Sequence, residues 1–367
     1  MKIIQLVPAL NSGGVERGTL EIARALVAAG HESIVISNGG RMVAQLEVEG
    51  TRHIQLPIHR KALSSLWQIH PLRKIIQQEQ ADLLHVRSRI PAWLTHFALR
   101  KIAPKNRPVL ISTVHGFYSV NRYSEIMTRA DRVIAVSDSV VEFIQQNYPA
   151  CPLDKVTRIY RGINPMEFPH GYQPSQQWWR KTYAEFPELE YKIWLTLPGR
   201  ITRLKGHEAL LQLIDALKDR FAVHGVIVGD AHEKKQAYLT ELHARVEQLG
   251  LKDHVTFVGH RSDIREWLAA SDLVFSLSAQ AETFGRTTLE AISVGTSAVG
   301  WNRGGVAEIL QHCYPQGLVE AENEALLLQT VEQLLENPQP PEPVHDFQLS
   351  QMTDQTIALY AEMIQAK

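Results

Sequence analysis

The sequence predicts an α/β protein built from two doubly wound, parallel-sheet domains. Three observations carry this prediction. The chain has 367 residues, enough for two cores of ordinary size. Short apolar runs alternate with amphipathic segments. That alternation pauses near the middle of the chain and then restarts.

In the first half, residues 2–7, 33–37, 83–86, 109–113 and 132–136 read as buried strands bounded by turn residues. Between them, segments 15–29, 67–80 and 92–102 carry helical spacing. Residues 164–177 contain three prolines and little periodicity, as expected of a linker. The pattern resumes with strands at 193–197, 225–228, 255–258, 273–277 and 297–300, and helices at 208–219, 234–249 and 263–270. A Pro-rich break at 338–343 precedes a last helical segment, 354–365. The expected division is an N-terminal Rossmann-like domain over 1–166, a second over 167–345 and a C-terminal helix within 346–367. Ligands of such sheets bind beyond the carboxyl ends of the strands, where the winding reverses. A cleft between two facing domains is therefore the expected active site.

Composition narrows the function classes. Hydrophobic residues make up 44% and charged residues 21%, and the formal net charge is −1, so nothing global points to nucleic acid. The charge is uneven, however. Between Arg52 and Arg107 there are eleven Lys or Arg against two acids, Glu79 and Asp82, for a local charge of +9. Such a field suits an anionic substrate or peripheral contact with an anionic membrane; a solvated basic face is the plainer alternative. Cys151 and Cys313 lie far apart and in no metal-ligand spacing, which fits a reducing compartment. No signal-peptide pattern and no apolar run of membrane-spanning length occurs, so a cytoplasmic location is expected, with the inner face of the membrane as one possible seat.

Four segments at predicted strand ends carry candidate chemistry. The most specific is Glu282-Thr-Phe-Gly-Arg-Thr-Thr-Leu-Glu290, which follows one strand and opens a helix. Gly285 permits close backbone approach, and the amides of Arg286 and Thr287 then sit at a helix N-terminus that favours phosphate or sugar oxygens. Carboxylates such as Glu282 and Glu290 match the paired hydroxyls of a hexose or ribose. Read blandly, they are a helix-terminal carboxylate and a surface glutamate.

The second segment, Gly199-Arg200-Ile-Thr-Arg203-Leu-Lys205-Gly206, places Arg200 and Lys205 where two cations would neutralise a diphosphate leaving group. The third, Asn11-Ser-Gly13-Gly14-Val15-Glu16-Arg17, joins the first strand to the first helix; Gly18 falls at the wrong spacing for a dinucleotide fingerprint. The fourth, Thr113-Val-His115-Gly116, sets a histidine at a strand end, where it either meets a sugar hydroxyl or serves the structure. Ser137, Arg161 and the pair Arg87 and Arg89 stand at equivalent ends. The sequence contains no D-x-D pair to hold a metal on a diphosphate, no Walker A loop, no G-x-S-x-G elbow and no H-E-x-x-H.

Taken together, these segments resemble the GT4 family of retaining glycosyltransferases, which have the two-domain GT-B fold. The resemblance runs from Gly13-Gly14 to the closing helix, and its most specific piece is the Glu282–Glu290 motif. It implies that Glu282 contacts donor-sugar hydroxyls and that Glu290 binds the nucleotide ribose. It further implies that Arg200 and Lys205 hold the diphosphate, and that Thr283, Phe284, Gly285, Arg286 and Thr287 cradle sugar and phosphate. Gly14 matches the loop that approaches donor and acceptor, and His115 matches the histidine near the reacting sugar. His260 falls in the stretch whose backbone reads the nucleobase. Gly13, Arg87, Arg89, His115, Ser137 and Arg161 fall on the acceptor side. The last helix is expected to cross back to the N-terminal domain. The chain departs from the family pattern in Arg161-Gly162-Ile163-Asn164 and in Ala281 before the first glutamate.

The implied activity is transfer of a hexose-type sugar from a nucleotide diphosphate sugar to a hydroxyl of a glycan or glycolipid acceptor, as in envelope or lipopolysaccharide synthesis. It proceeds with retention and requires neither metal nor cofactor. A sugar-nucleotide epimerase and a non-catalytic sugar-nucleotide-binding protein are the rival readings.

Overall fold

The computed structural model describes residues 1–11, 13–231 and 236–367. Ser12 of the first glycine loop, and residues 234 and 235 of one expected helix, lie outside these. The chain divides into two compact units, Met1–Gly162 with Leu349–Lys367, and Ile163–Gln348.

Unit 1 runs β1 (Lys2–Leu6), α1 (Gly14–Ala28), β2 (Glu32–Ser37), α2 (Val43–Val48), β3 (Arg52–Gln55), α3 (Ile69–Glu79), β4 (Leu83–Val86), α4 (Arg89–Leu99), β5 (Val109–Val114), β6 (Arg132–Ala135), α5 (Asp138–Asn147) and β7 (Val156–Arg158). Its seven strands are all parallel in the order β3-β2-β1-β4-β5-β6-β7. Ile4 pairs in register with Ile34 on one side and Leu84 on the other. Strands covered by helices on both faces bury nearly every residue, which explains the continuous apolar runs. The direction of winding reverses between β1 and β4.

Unit 2 runs α6 (Gln176–Glu185), β8 (Ile193–Pro198), α7 (His207–Leu217), β9 (Val223–Val228), α8 (Gln236–Gln248), β10 (Val255–Gly259), α9 (Ile264–Ala269), β11 (Leu273–Ser276), α10 (Arg286–Val294), β12 (Ser297–Trp301), α11 (Gly304–Cys313), β13 (Leu318–Val319) and α12 (Glu324–Glu336). Its six parallel strands are ordered β10-β9-β8-β11-β12-β13, so winding reverses between β8 and β11. An aromatic cluster fills one side of this core: Trp194 stacks on Trp267 at 5.6 Å, and Trp178 meets Trp267 edge-on at 5.3 Å.

The last helix, α13 (Leu349–Gln365), belongs to unit 1. Its Met352, Leu359 and Tyr360 join Ile3, Ile22, Leu26 and Ile134 in one buried cluster. Tyr360 is fully buried, and its hydroxyl shares a hydrogen bond with Nδ1 of His85 on β4, whose Nε2 meets Thr113 Oγ1 at 2.6 Å. A buried hydrogen-bonded network of this kind fixes one docking geometry for the helix, because any slip would orphan its members.

The Pro-rich stretch expected as a linker packs on unit 2. Gly171 N–H donates to Val294 O at 3.0 Å, and the Tyr172 hydroxyl donates to Glu266 at 2.9 Å. The strands the sequence reading did not anticipate are β3, β7 and β13. All three are edge strands; β3 and β7 have the polar compositions Arg-His-Ile-Gln and Val-Thr-Arg, and β13 spans two residues. Edge strands pack on fewer neighbours and need no apolar run.

Candidate active site

In unit 2, the two loops that follow β8 and β11 meet at the reversal point of the sheet. The first loop turns on glycines. Gly199 has φ +140°, and Gly206, at φ +80°, caps α7. A Cβ on Gly206 would stand 2.0 Å from the Leu277 carbonyl oxygen, so only glycine lets this loop lie against the end of β11. Ala279 N–H donates to Leu204 O at 2.9 Å and ties the two loops together.

The cations of this loop separate by partner. Arg203 is drawn away to α8, where it pairs with Glu241 and covers the Tyr238 ring. Lys205 Nζ donates to Glu282 Oε1 at 2.7 Å, and Ser278 Oγ donates to the same oxygen at 2.6 Å. Arg200 is exposed near enough for its charge to act on Glu282. Burial by itself would raise the Glu282 carboxyl. The charge of Lys205, the hydrogen bonds from Lys205 and Ser278, and the charge of Arg200 outweigh it and hold Glu282 below the usual carboxylate range.

Glu282 to Gly285 is also held from behind. Gly305 N–H donates to Glu282 O at 2.8 Å, and a Cβ on Gly305 would approach Phe284 Cα to 2.4 Å. Gly285 (φ +85°) is the N-cap of α10 and has no side chain to cap it. The positive end of that helix dipole favours an anionic oxygen. The sequence reading missed Gly304 and Gly305. The signal was present as a paired glycine that two residues separate from an apolar strand.

The remaining residues expected on the donor side are placed less uniformly. Phe284 is a core side chain, edge-on to Phe347 at 5.9 Å, so its contribution to a ligand would be its backbone. Thr283 and Thr287 are partly exposed. Glu290 is only 4% exposed and accepts from Arg286 Nε at 3.0 Å, one turn back on the same helix. Glu282 and Glu290 thus face different cations. His260 is exposed just beyond the end of β10.

In unit 1, the corresponding reversal point lies between β1 and β4. Gly13, at φ +136°, caps α1, and Arg161 donates to Gly14 O at 3.0 Å while pairing with Glu21 at 3.4 Å. A Cβ on Gly18 would sit 2.0 Å from Arg161 Nη2, so the glycine at the wrong spacing for a dinucleotide fingerprint makes room for this guanidinium. Arg87 is only 2% exposed and donates to Gln5 Oε1 at 2.8 Å. His115 follows β5, where burial and then the charges of Arg161 and Arg87 hold its imidazole well below its ordinary value, leaving it neutral at pH 7. Ser137 is buried and caps α5, accepting from Val140 N–H at 3.2 Å. Arg89 lies over Tyr118 at 4.7 Å and Tyr123 at 5.3 Å, and donates to Ser124. Gly13, Gly14, His115, Arg87 and Arg161 are thereby brought to one place, whereas Ser137 and Arg89 serve local structure beside it.

Among the described residues, no three His, Cys, Asp or Glu side chains converge as a metal site. Among the described residues, no helix is long and apolar enough to cross a membrane.

Two all-parallel α/β units, the second with a basic and carboxylate-bearing loop site at its reversal point, match the fold of GT-B glycosyltransferase structures. Residues 12–167 match the family described as Glycosyltransferase Family 4, and residues 184–348 match Glycosyl transferases group 1. The chain belongs to the GT4 glycosyltransferase family. It is 25% identical over 328 residues to N-acetyl-alpha-D-glucosaminyl L-malate synthase of Bacillus anthracis, covering 84% of this chain and 80% of that protein. The crystal structure of a glycosyltransferase from Rickettsia africae ESF-5 superposes with a TM-score of 0.87 at 26% identity, covering 100% of this chain and 99% of that one. Anabaena Alr3699/HepE, solved in complex with UDP, superposes at 0.82 with 21% identity, over 99% of this chain and 100% of that one.

Proposed function

We propose that this glycosyltransferase moves a hexose from a nucleotide diphosphate sugar to an acceptor hydroxyl, with retention at the anomeric carbon and without a metal ion. The observation that carries this reading is the Lys205–Glu282 contact at the reversal point of unit 2, with Arg200 beside it and the α10 N-terminus next in the chain. The UDP complex of Anabaena HepE supports a nucleotide-linked donor.

In this reading, Arg200 and Lys205 take the diphosphate, and the α10 amides take a phosphate or sugar oxygen. Glu282, kept ionised, accepts hydrogen bonds from the sugar hydroxyls, while Glu290 receives the ribose. The bond from the anomeric carbon to the phosphate oxygen breaks, and the acceptor oxygen bonds to that carbon from the same face. The acceptor proton passes to the departing phosphate oxygen, so no carboxylate base is required. The negative charge gained by the leaving diphosphate strengthens its attraction to Arg200 and Lys205, which makes the contact catalytic as well as adhesive. His115, neutral, hydrogen-bonds the reacting sugar, and the acceptor is a glycan or glycolipid.

The test is the transfer rate of Lys205→Ala and Glu282→Ala across a panel of nucleotide sugars and acceptors. Loss of transfer with folding intact supports the assignment, and wild-type rates in both variants would overturn it.

A further inference from the structure

We infer that unit 1 docks on an anionic lipid bilayer through the 3-10 turn Leu63–Gln68 and the cations around it. The turn carries Leu63, 86% exposed, Leu66, 47% exposed, and Trp67, 81% exposed. These are not spare members of the core. The apolar face of the following helix is already satisfied, since Leu72 and Ile76 of α3 are buried. Ser65 lies between the protruding residues and is itself buried, donating to Arg60 O, so the turn is pinned with its apolar side chains outward. Large apolar groups held outward on a fixed turn mark an interaction surface.

The charge around the turn selects the occupant. From Gly50 to Gln78 the chain has five Lys or Arg and no acid. Leu66 and Trp67 help line a surface pocket of about 630 Å³ that also takes in Arg73, Arg100 and Lys101. Arg60 and Lys61 flank the turn on its other side and are exposed. Among the described residues, Arg60, Lys61, Arg73, Arg100 and Lys101 are not ion-paired to a carboxylate, whereas Arg52 pairs with Glu79. Protruding apolar side chains ringed by cations match a phospholipid interface, where indole and aliphatic groups enter the headgroup layer and Lys or Arg meet phosphates. The surface continues towards the strand ends of unit 1. Lys61 lies 4.6 Å over Tyr123, which Arg89 also covers, and Trp93 donates to Tyr123 O at 2.9 Å. The bilayer would thus lie beside the carboxyl ends of β4 and β5. The inference rests on unit 1 alone and goes beyond the donor chemistry.

The experiment is sedimentation of the full chain with vesicles of phosphatidylcholine alone, or of equal parts phosphatidylcholine and phosphatidylglycerol. Binding is expected on the anionic vesicles only, weakening as salt rises. The double variants Leu63→Ser/Trp67→Ser and Arg100→Glu/Lys101→Glu should each lose about tenfold or more in partitioning, with unchanged thermal midpoints. Equal binding to both vesicle types, or variants that partition like the wild type, would overturn the inference. So would self-association without vesicle binding that Leu63→Ser/Trp67→Ser abolishes, which would assign the turn to a second copy of the chain. Thermal shift with nucleotide sugars, run in parallel, separates the two readings. Vesicle binding without any nucleotide-sugar shift leaves docking supported and the donor reading refuted.

Discussion

Lys205 and Glu282 stand 77 positions apart in the chain, yet their charged atoms meet at 2.7 Å where the winding of unit 2 reverses. In the proposed reaction a diphosphate would draw on the ammonium and a sugar on the carboxylate, so the pair would pre-position two groups before either partner arrives.

Replacing Lys205 with Met should lower sugar transfer by about a hundredfold or more, the scale of losing one charge-stabilising contact in a transition state. Arg203→Ala should leave transfer near wild type, because Arg203 is engaged with Glu241 and Tyr238 on α8. Steady-state rates for both variants, with circular dichroism as the folding control, check the contrast. Equal losses would refute the division of labour between the two cations.

Gly206→Ala should destabilise unit 2 by about 1–3 kcal/mol and displace the loop that carries Lys205. The added methyl meets a backbone oxygen, that of Leu277, and the residue sits at φ +80°. Backbone on both sides leaves no cheap relaxation. A urea midpoint unchanged from wild type would contradict this.

Tyr360→Phe should cost about 1–3 kcal/mol, because it strips a buried partner from His85 while leaving the packing of α13 nearly unchanged. Amide exchange in α13 should speed up in step with the loss, and unaltered exchange would argue that the hydrogen bond does not hold the helix.

Stability should decline on the acid side of neutrality. Burial, and then the charges of Arg87, His115 and Arg161, keep His85 neutral well below the ordinary imidazole value, and burial lowers His207 and His224 to about 4. The unfolded chain binds a proton on each near pH ~6.5, whereas the folded chain does not. The unfolded state therefore holds more protons below that pH, so stability is full above about 6.5 and is lost as pH falls towards the folded values. Thermal midpoints measured from about pH 7.5 to 5.5 should fall steadily. A flat profile would show that these histidines protonate in place.

The sequence by itself determined much of this protein. Parallel strands buried on both faces write continuous apolar runs into the chain, so both sheets were legible, as was the pause between them. The glycine-bearing loops were legible too, because close backbone approach restricts the residue type, as at Gly206 and Gly285. Only the tertiary structure decided which charges meet. Arg200, Arg203 and Lys205 look alike along the chain, and only the fold turns Arg203 to Glu241 while setting Lys205 on Glu282. Gly18 had no evident purpose until Arg161, 143 positions later by number, was seen to lie across it. The difference is physical: burial and backbone conformation are local demands that leave a local record, whereas a charge pair is fixed by which strand ends the winding brings side by side.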